Sequence, residues 1–211
     1  MKKSRSEEHP LFNFPATPLL IVLSGPSGAG KDAILSRIKE SGSLFEHITT
    51  VTTRPQRPEE RDMLDYHFVS QERFREMLEK GELLESAMVY GNWYGVPKRP
   101  VKEALDRGKD VIIKVDIQGA ATIKKIQPQA VFIFLTLPSP EELAQRLKER
   151  NTEKPFDLSF RLETAEEEMK QLPLFDYVVL NRRCEIDLAV SQIKAIITAE
   201  KCRLTQRKIS F

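Results

Sequence analysis

The sequence predicts an α/β protein, a parallel sheet with helices on both faces and two segments that break the alternation. Three observations carry that prediction. Leu19–Leu23 (LLIVL) is a continuous apolar run, the pattern of a strand buried on both faces, and it opens onto a glycine-rich loop. Four further apolar runs are separated by stretches of helical periodicity, which is the rhythm of a parallel sheet. The chain has 211 residues, 40% hydrophobic and 30% charged, enough for one well-cored domain and too apolar for a disordered chain.

Residues 1–17 read as a loose tail, because Glu7, Glu8 and the nearby prolines interrupt any signal-peptide core. After the first strand and its loop, Ile34, Leu35 and Ile38 recur at helical spacing until Ser41-Gly42 ends the segment. Phe45–Thr49 is a weaker strand. Residues 50–100 hold short strand-like pieces, turns and one small helix, too many for a simple crossover. Val101–Arg107 and Gln118–Ile126 are helical, flanking a strand at Asp110–Asp116. Ala130–Leu137 is a strand, and Ser139-Pro140-Glu141-Glu142 is a capping box with proline at the first helical position, opening a helix through Arg150. A polar connection over 150–160 follows, then a helix at Asp157–Leu172, a strand at Tyr177–Asn181 and a helix at Ile186–Leu204. The expected division is a core of 18–48, 101–138 and 173–207, with excursions at 49–100 and 139–172 that suggest mobile lobes.

The chemistry begins at Gly25, Pro26, Ser27, Gly28, Ala29, Gly30, Lys31 and Asp32 (GPSGAGKD). Glycines there let backbone N–H groups turn inward around phosphate oxygens, and Lys31 bridges the β- and γ-phosphates of a nucleoside triphosphate. Such a loop usually ends in Ser or Thr, whose hydroxyl ligates Mg²⁺. Asp32 offers a carboxylate instead, a hard-oxygen ligand that is also an anion close to the phosphates. In the first excursion Thr50, Arg54 and Arg57 sit on a backbone preset by Pro55 and Pro58, which suits bidentate recognition of a phosphate dianion, and Tyr66 adds a phenol hydroxyl. Arg146 and Arg150 lie one helical turn apart, with Arg161 eleven residues beyond, where cations could stabilise a transferring phosphoryl group. The bland alternative for Arg146 is pairing with Glu142 or Glu149 on its own helix.

A net charge of +2 gives no bulk case for a nucleic-acid or membrane partner, and no apolar run approaches the ~20 residues of a membrane span. Two cysteines make no disulfide framework, so a reducing cytoplasmic compartment is the simplest reading.

Seven motifs together resemble guanylate kinase, from Leu20 to Ile197: GPSGAGKD, TTRPQRP, DYHFVS, ELLESA, GNWYG, DIQGA and RLKERNT, in that family's order and approximate spacing. The resemblance implies a P-loop core that binds ATP, a lobe that binds GMP, and a helical lid. The reaction implied is GMP and ATP giving GDP and ADP with Mg²⁺, with dGMP as a further acceptor, in a monomer or small homo-oligomer. It places Thr50, Arg54, Arg57 and Tyr66 on the GMP phosphate and Glu85 on the base, where one carboxylate accepts from guanine N1–H and the 2-amino group. Tyr94, Gly95 and Val96 fall in the same site, Asp116 near the acceptor, and Asn181 near the adenine. Arg54, Arg146, Arg150 and Arg161 with Lys31 are the catalytic cations it implies.

The chain departs from the pattern at several places. Val96 stands where Ser or Thr is frequent, Asn151 where a lid glycine is common, and Arg182-Arg183 where an acidic pair is frequent. Lys114 replaces an Asp or Glu that many members carry two residues before Asp116. Lys114 and Asp116 share a strand face. One reading is that the acidic group has moved from strand to loop, with Lys114 expected to neutralise Asp32 or take part of the cation's role, and the other is neutral drift at both positions. Two rival readings are a ribose 1,5-bisphosphate phosphokinase, which also carries GKD but has no need of the Glu85 site, and a non-catalytic interaction module, which typically loses the phosphate loop.

Overall fold

The computed structural model describes residues 17–42, 45–89, 91–149 and 163–211. Its centre is a five-stranded sheet in the order β2-β7-β1-β8-β9, with every neighbouring pair parallel. The strands are β1 (Leu20–Ser24), β2 (Glu46–Ile48), β7 (Val111–Lys114), β8 (Val131–Thr136) and β9 (Tyr177–Leu180), each inside or within one residue of its predicted run. Alternation along β1 explains why no polar face was visible. Ile21 and Leu23 join Leu19 against one layer of helices, while Leu20 and Val22 join the other.

The first layer is α1 (Lys31–Glu40) and α7 (Ile186–Lys201), which supply Ile34, Leu35 and Ile38, and Ala189, Val190, Ile193 and Ile197. The second is α3 (Lys98–Asp106) and α4 (Ile117–Ile126), through Val101, Ala104, Leu105, Ala120 and Ile123. These residues fall at three- and four-residue spacing, so the predicted periodicity is the buried stripe itself. The capping box opens α5 (Pro140–Glu149), where the Glu142 N–H donates to Ser139 Oγ at 3.3 Å. A helical segment covers 163–169 (α6) and gives way to a 3₁₀ turn at Leu172–Leu174. The helix expected over 157–172 therefore stops earlier, because Pro173 lacks the N–H that a continuing helix needs. Helix α7 likewise ends at Lys201 and not at Leu204.

Between β2 and α3 the chain builds a second sheet in the order β4-β3-β6-β5. It comprises β3 (Val51–Thr52), β4 (His67–Phe68) and the hairpin β5 (Leu83–Val89) and β6 (Asn92–Pro97), with α2 (Gln71–Glu79) laid against it through Phe74 and Met77. The Ser70 hydroxyl caps α2 by accepting from the Arg73 N–H at 3.1 Å. Among the described residues no helix is long and apolar enough to cross a membrane.

The C-terminal segment after α7 returns along the amino ends of the strands. Arg207 clamps it there, donating to both oxygens of the 2%-exposed Glu200 at 2.7 and 2.9 Å and to the Ala130 carbonyl at 3.0 Å. Replacing Arg207 with Met leaves that buried carboxylate short of its main cation. The variant is expected to lose about 2–3 kcal/mol in urea unfolding at neutral pH. Hydrogen bonding to Arg207 holds Glu200 below its ordinary pKa. The contribution is therefore present above the ordinary carboxylate range and lost as pH falls below it, so wild type and variant converge in acid.

Candidate active site

Parallel strands end on one side of the sheet, and many of the predicted site residues collect beyond those carboxyl ends. The loop from Gly25 to Gly30 leaves β1, Thr50 follows β2, Val115 and Asp116 follow β7, and Asn181 follows β9. The cleft they form with the second sheet is lined by the loop, Lys31, Asp32, Thr50, Arg54, Arg57, Tyr66, Glu85, Val89, Tyr94, Lys114, Val115, Asp116 and Glu168.

The loop packs closely on the strand beside it. Gly25 has φ 144°, and a Cβ there would run into the Leu135 carbonyl, so only glycine fits. Gly30, at φ 91°, is the N-cap residue of α1, which aims that helix's amino end into the cleft. Lys31 folds back over the loop and donates to the carbonyls of Gly25 and, at 3.1 Å, Pro26. Burial lowers its pKa to about 8, against the opposing pull of Glu168 and Asp32. Ala29 contributes its backbone only. Its side chain is in the core, and its carbonyl accepts from Asn181 Nδ2 at 2.8 Å.

On the second sheet, Arg54 donates to Glu60 Oε1 and to the Pro55 carbonyl, both at 2.6 Å, and its guanidinium lies 5.4 Å from the Tyr66 ring centre. Glu60 also accepts from the Arg57 N–H at 2.9 Å, so one carboxylate fixes the turn that carries both arginines. Tyr94 stands edge-on to Tyr66, ring centres 6.0 Å apart. Gly95 and Val96 do not line the cleft. Val96 is fully buried in the cluster that holds Leu20, Leu84 and Val101, and a Cβ on Gly95, which faces the other side of β6, would press on Leu83 and Phe74.

Glu85 is 6% exposed, and its Oε2 has no hydrogen-bond partner. Burial, and then the nearby Asp116 carboxylate, push its pKa up to about 8. The space for this carboxyl exists because residue 119 is glycine, where a Cβ would come within 2.7 Å of Glu85 Oε2. Asp116 has a second task that the sequence did not reveal. It is the N-cap of α4, accepting from the Gly119 N–H at 2.8 Å.

Arg146 pairs with Glu142 Oε1 at 2.7 Å, as its helical spacing allowed, but also donates to the Asn181 carbonyl at 2.8 Å, which places it beside the loop. Arg150, Arg161 and Asn151 lie outside the described residues. Glu168 was not anticipated. It lies one turn beyond Ala165, which packs with Leu143 and Leu147, so the face that docks α6 also delivers Glu168 to the cleft. Burial raises its pKa to about 7, with Lys31 opposing. The expected link between Asp32 and Lys114 is a direct contact in which Lys114 Nζ donates to Asp32 Oδ1.

A family model described as guanylate kinase matches residues 17–200. The chain belongs to the guanylate kinase family. Guanylate kinase from Desulfitobacterium hafniense is 45% identical over 193 residues, covering 92% of this chain and 96% of that protein. Guanylate kinase 2, chloroplastic/mitochondrial, of Oryza sativa subsp. japonica is 44% identical, covering 93% of this chain and 70% of its own length. The crystal structure of guanylate kinase from Anaplasma phagocytophilum superposes with a TM-score of 0.75 at 29% identity, covering 90% of this chain and 89% of that one. The likeness thus spans both sheets and both helical layers of the family's fold.

The raised pKa of Glu85 makes the empty fold favour its protonated form. That contribution is complete below the ordinary carboxylate range and is lost as pH rises toward about 8. Urea unfolding of the ligand-free protein is expected to show stability falling over that interval. Glu85→Gln should flatten the fall and be the more stable protein at its alkaline end.

Proposed function

We propose that this cleft transfers the γ-phosphoryl group of ATP to the phosphate of GMP, giving ADP and GDP. The bond between the γ-phosphorus and the β,γ-bridging oxygen breaks, and a bond to an acceptor phosphate oxygen forms. The reading rests most directly on Glu85. Its buried Oε2 without a partner suits a base edge that presents two adjacent N–H donors, as guanine does. Adenine has no N1–H and would leave the carboxyl unpaired, at a cost of several kcal/mol.

The remaining roles follow from position. The Gly25–Gly30 backbone cradles the donor phosphates, and Lys31 exchanges its two carbonyl partners for β- and γ-oxygens. Arg54, Arg57, Tyr66 and Thr50 hold the acceptor phosphate, with Tyr94 and Asp116 completing the acceptor side. Arg146, Arg150 and Arg161 supply positive charge to the transferring group from a lid over 139–172, while residues 49–100 form the acceptor lobe. Asn181 keeps the loop in register with β9 and lies on the adenine side.

The donor set fits Mg²⁺ brought in on ATP, since such an ion needs only one or two carboxylates besides phosphates and water. Asp32 is 60% exposed at the loop's end and is the residue that would hold it. Bound there, the ion would neutralise charge developing on the phosphate oxygens. Both cysteines are exposed free thiols, in keeping with a cytoplasmic protein.

A coupled assay of ADP release with Mg²⁺-ATP, comparing GMP, dGMP, AMP and ribose 1,5-bisphosphate, tests the assignment. Rapid turnover with GMP and little with AMP is expected. Glu85→Gln should lower kcat/KM for GMP about 10- to 100-fold, the loss of one or two hydrogen bonds to a charged group. Turnover with ribose 1,5-bisphosphate alone, or GMP binding without turnover, would contradict it.

A further inference from the structure

Lys114 ends β7 with its side chain almost wholly buried, and its ammonium meets two groups from different parts of the cleft. On one side it donates to Asp32, the last residue of the phosphate loop. On the other it donates to the Tyr66 hydroxyl at 2.7 Å, lying 3.9 Å from the centre of that ring. The strand end is pinned from the second sheet's side as well, because Thr50 Oγ1 donates to the Lys114 carbonyl at 3.2 Å. One cation therefore joins the donor-phosphate loop to the acceptor-phosphate side chains, across the gap that the transferred group must cross.

We propose that Lys114 is a positioning residue that couples occupancy of the two substrate subsites, an inference that rests on the functional reading above. A single ammonium faces two claimants. An acceptor phosphate arriving beside Tyr66 competes for it and loosens its hold on Asp32. A Mg²⁺-nucleotide arriving at the loop draws on Asp32 and frees the ammonium for the acceptor phosphate. Each ligand thus removes a contact that opposes the other, so the coupling is positive and, by linkage, reciprocal.

The geometry also separates this role from a structural one. Asp32 is 60% exposed, so removing its partner leaves a solvated carboxylate and no buried unpaired charge. Lys114→Met keeps the buried stem and removes only the ammonium. It is expected to fold with a melting temperature equal to or above that of wild type, whereas a structural ion pair would make the variant melt lower.

The test is calorimetric titration of GMP into the full chain, with and without saturating Mg²⁺ and a non-hydrolysable ATP analogue. Wild type should bind GMP about fivefold or more tightly with the analogue present, within the usual range of coupling between sites. In Lys114→Met that enhancement should fall to about twofold or less, and equally when the analogue is titrated with and without GMP. Asp32→Asn removes the other end of the bridge and should lose the same coupling, with no further loss in the double variant. If Lys114→Met retains the wild-type enhancement, the inference is wrong. If Lys114→Met fails to fold, the Asp32→Asn titration decides in its place. If wild-type protein does not bind GMP at all, the functional reading falls and takes the inference with it.

Discussion

Glu85 sits almost out of water with one carboxyl oxygen unpartnered, and much of the surrounding chain is arranged so that it can stay there. Its backbone lies in a hairpin strand paired to β6, which fixes the position from which the side chain enters the cleft. The wall facing it is α4, whose Gly119 leaves the volume that the carboxyl occupies. Asp116, which raises the Glu85 pKa, is itself fixed by capping that helix. A polar group held this way is costly in the ligand-free protein, and on the proposed function that cost is the source of selectivity. Only a ligand with donors at the right spacing removes it.

The same logic runs through the rest of the cleft. Lys31 is half-buried and held by loop carbonyls, the half-buried Glu168 faces the same cleft, and Arg54 is held by Glu60 over an aromatic pair. The two cations, Lys31 and Arg54, each have a partner from the chain itself that a phosphate can replace. The parallel sheet makes this possible. Its strand ends deliver loop, acid and amide to one side, and the second sheet brings the arginines and Glu85 to meet them. On the proposed function, binding would exchange these internal partners for substrate groups, a preorganised field in place of rearranged solvent.

Most of this arrangement was legible in the chain, for physical reasons that also set its limits. The three central strands β1, β7 and β8 are buried on both faces, so they appear as continuous apolar runs, whereas the edge strands β2 and β9 are only partly buried. The loop's glycines are required by backbone geometry, as the contact between Gly25 and Leu135 illustrates. The proposed phosphate ligands come from residue chemistry, and the proposed base ligand from the resemblance that the ordered motifs carry. Tyr94 and Val96 share a face of β6 by period-two alternation, so nothing in the sequence distinguished the cleft-lining Tyr94 from the fully buried Val96. Glu168 gave no signal because its helix presents acids on several sides, and only the docking of Ala165 selects the one that faces Lys31. The swap between Asp32 and Lys114 was visible as two substitutions. The bridge to Tyr66 was not, since it needs the second sheet folded over the first.

The most direct test of the central claim is the pH dependence of GMP affinity, with the proton count taken by calorimetry in buffers of different ionisation enthalpy. With its pKa near 8, Glu85 is protonated in the empty site at neutral pH, and it must ionise to accept two donors from guanine. Binding should therefore release close to one proton at about pH 7, and affinity should rise about tenfold per pH unit before levelling near that pKa. A GMP affinity flat across this range, with a binding heat independent of buffer, would contradict the assignment of Glu85 as the group that reads the base.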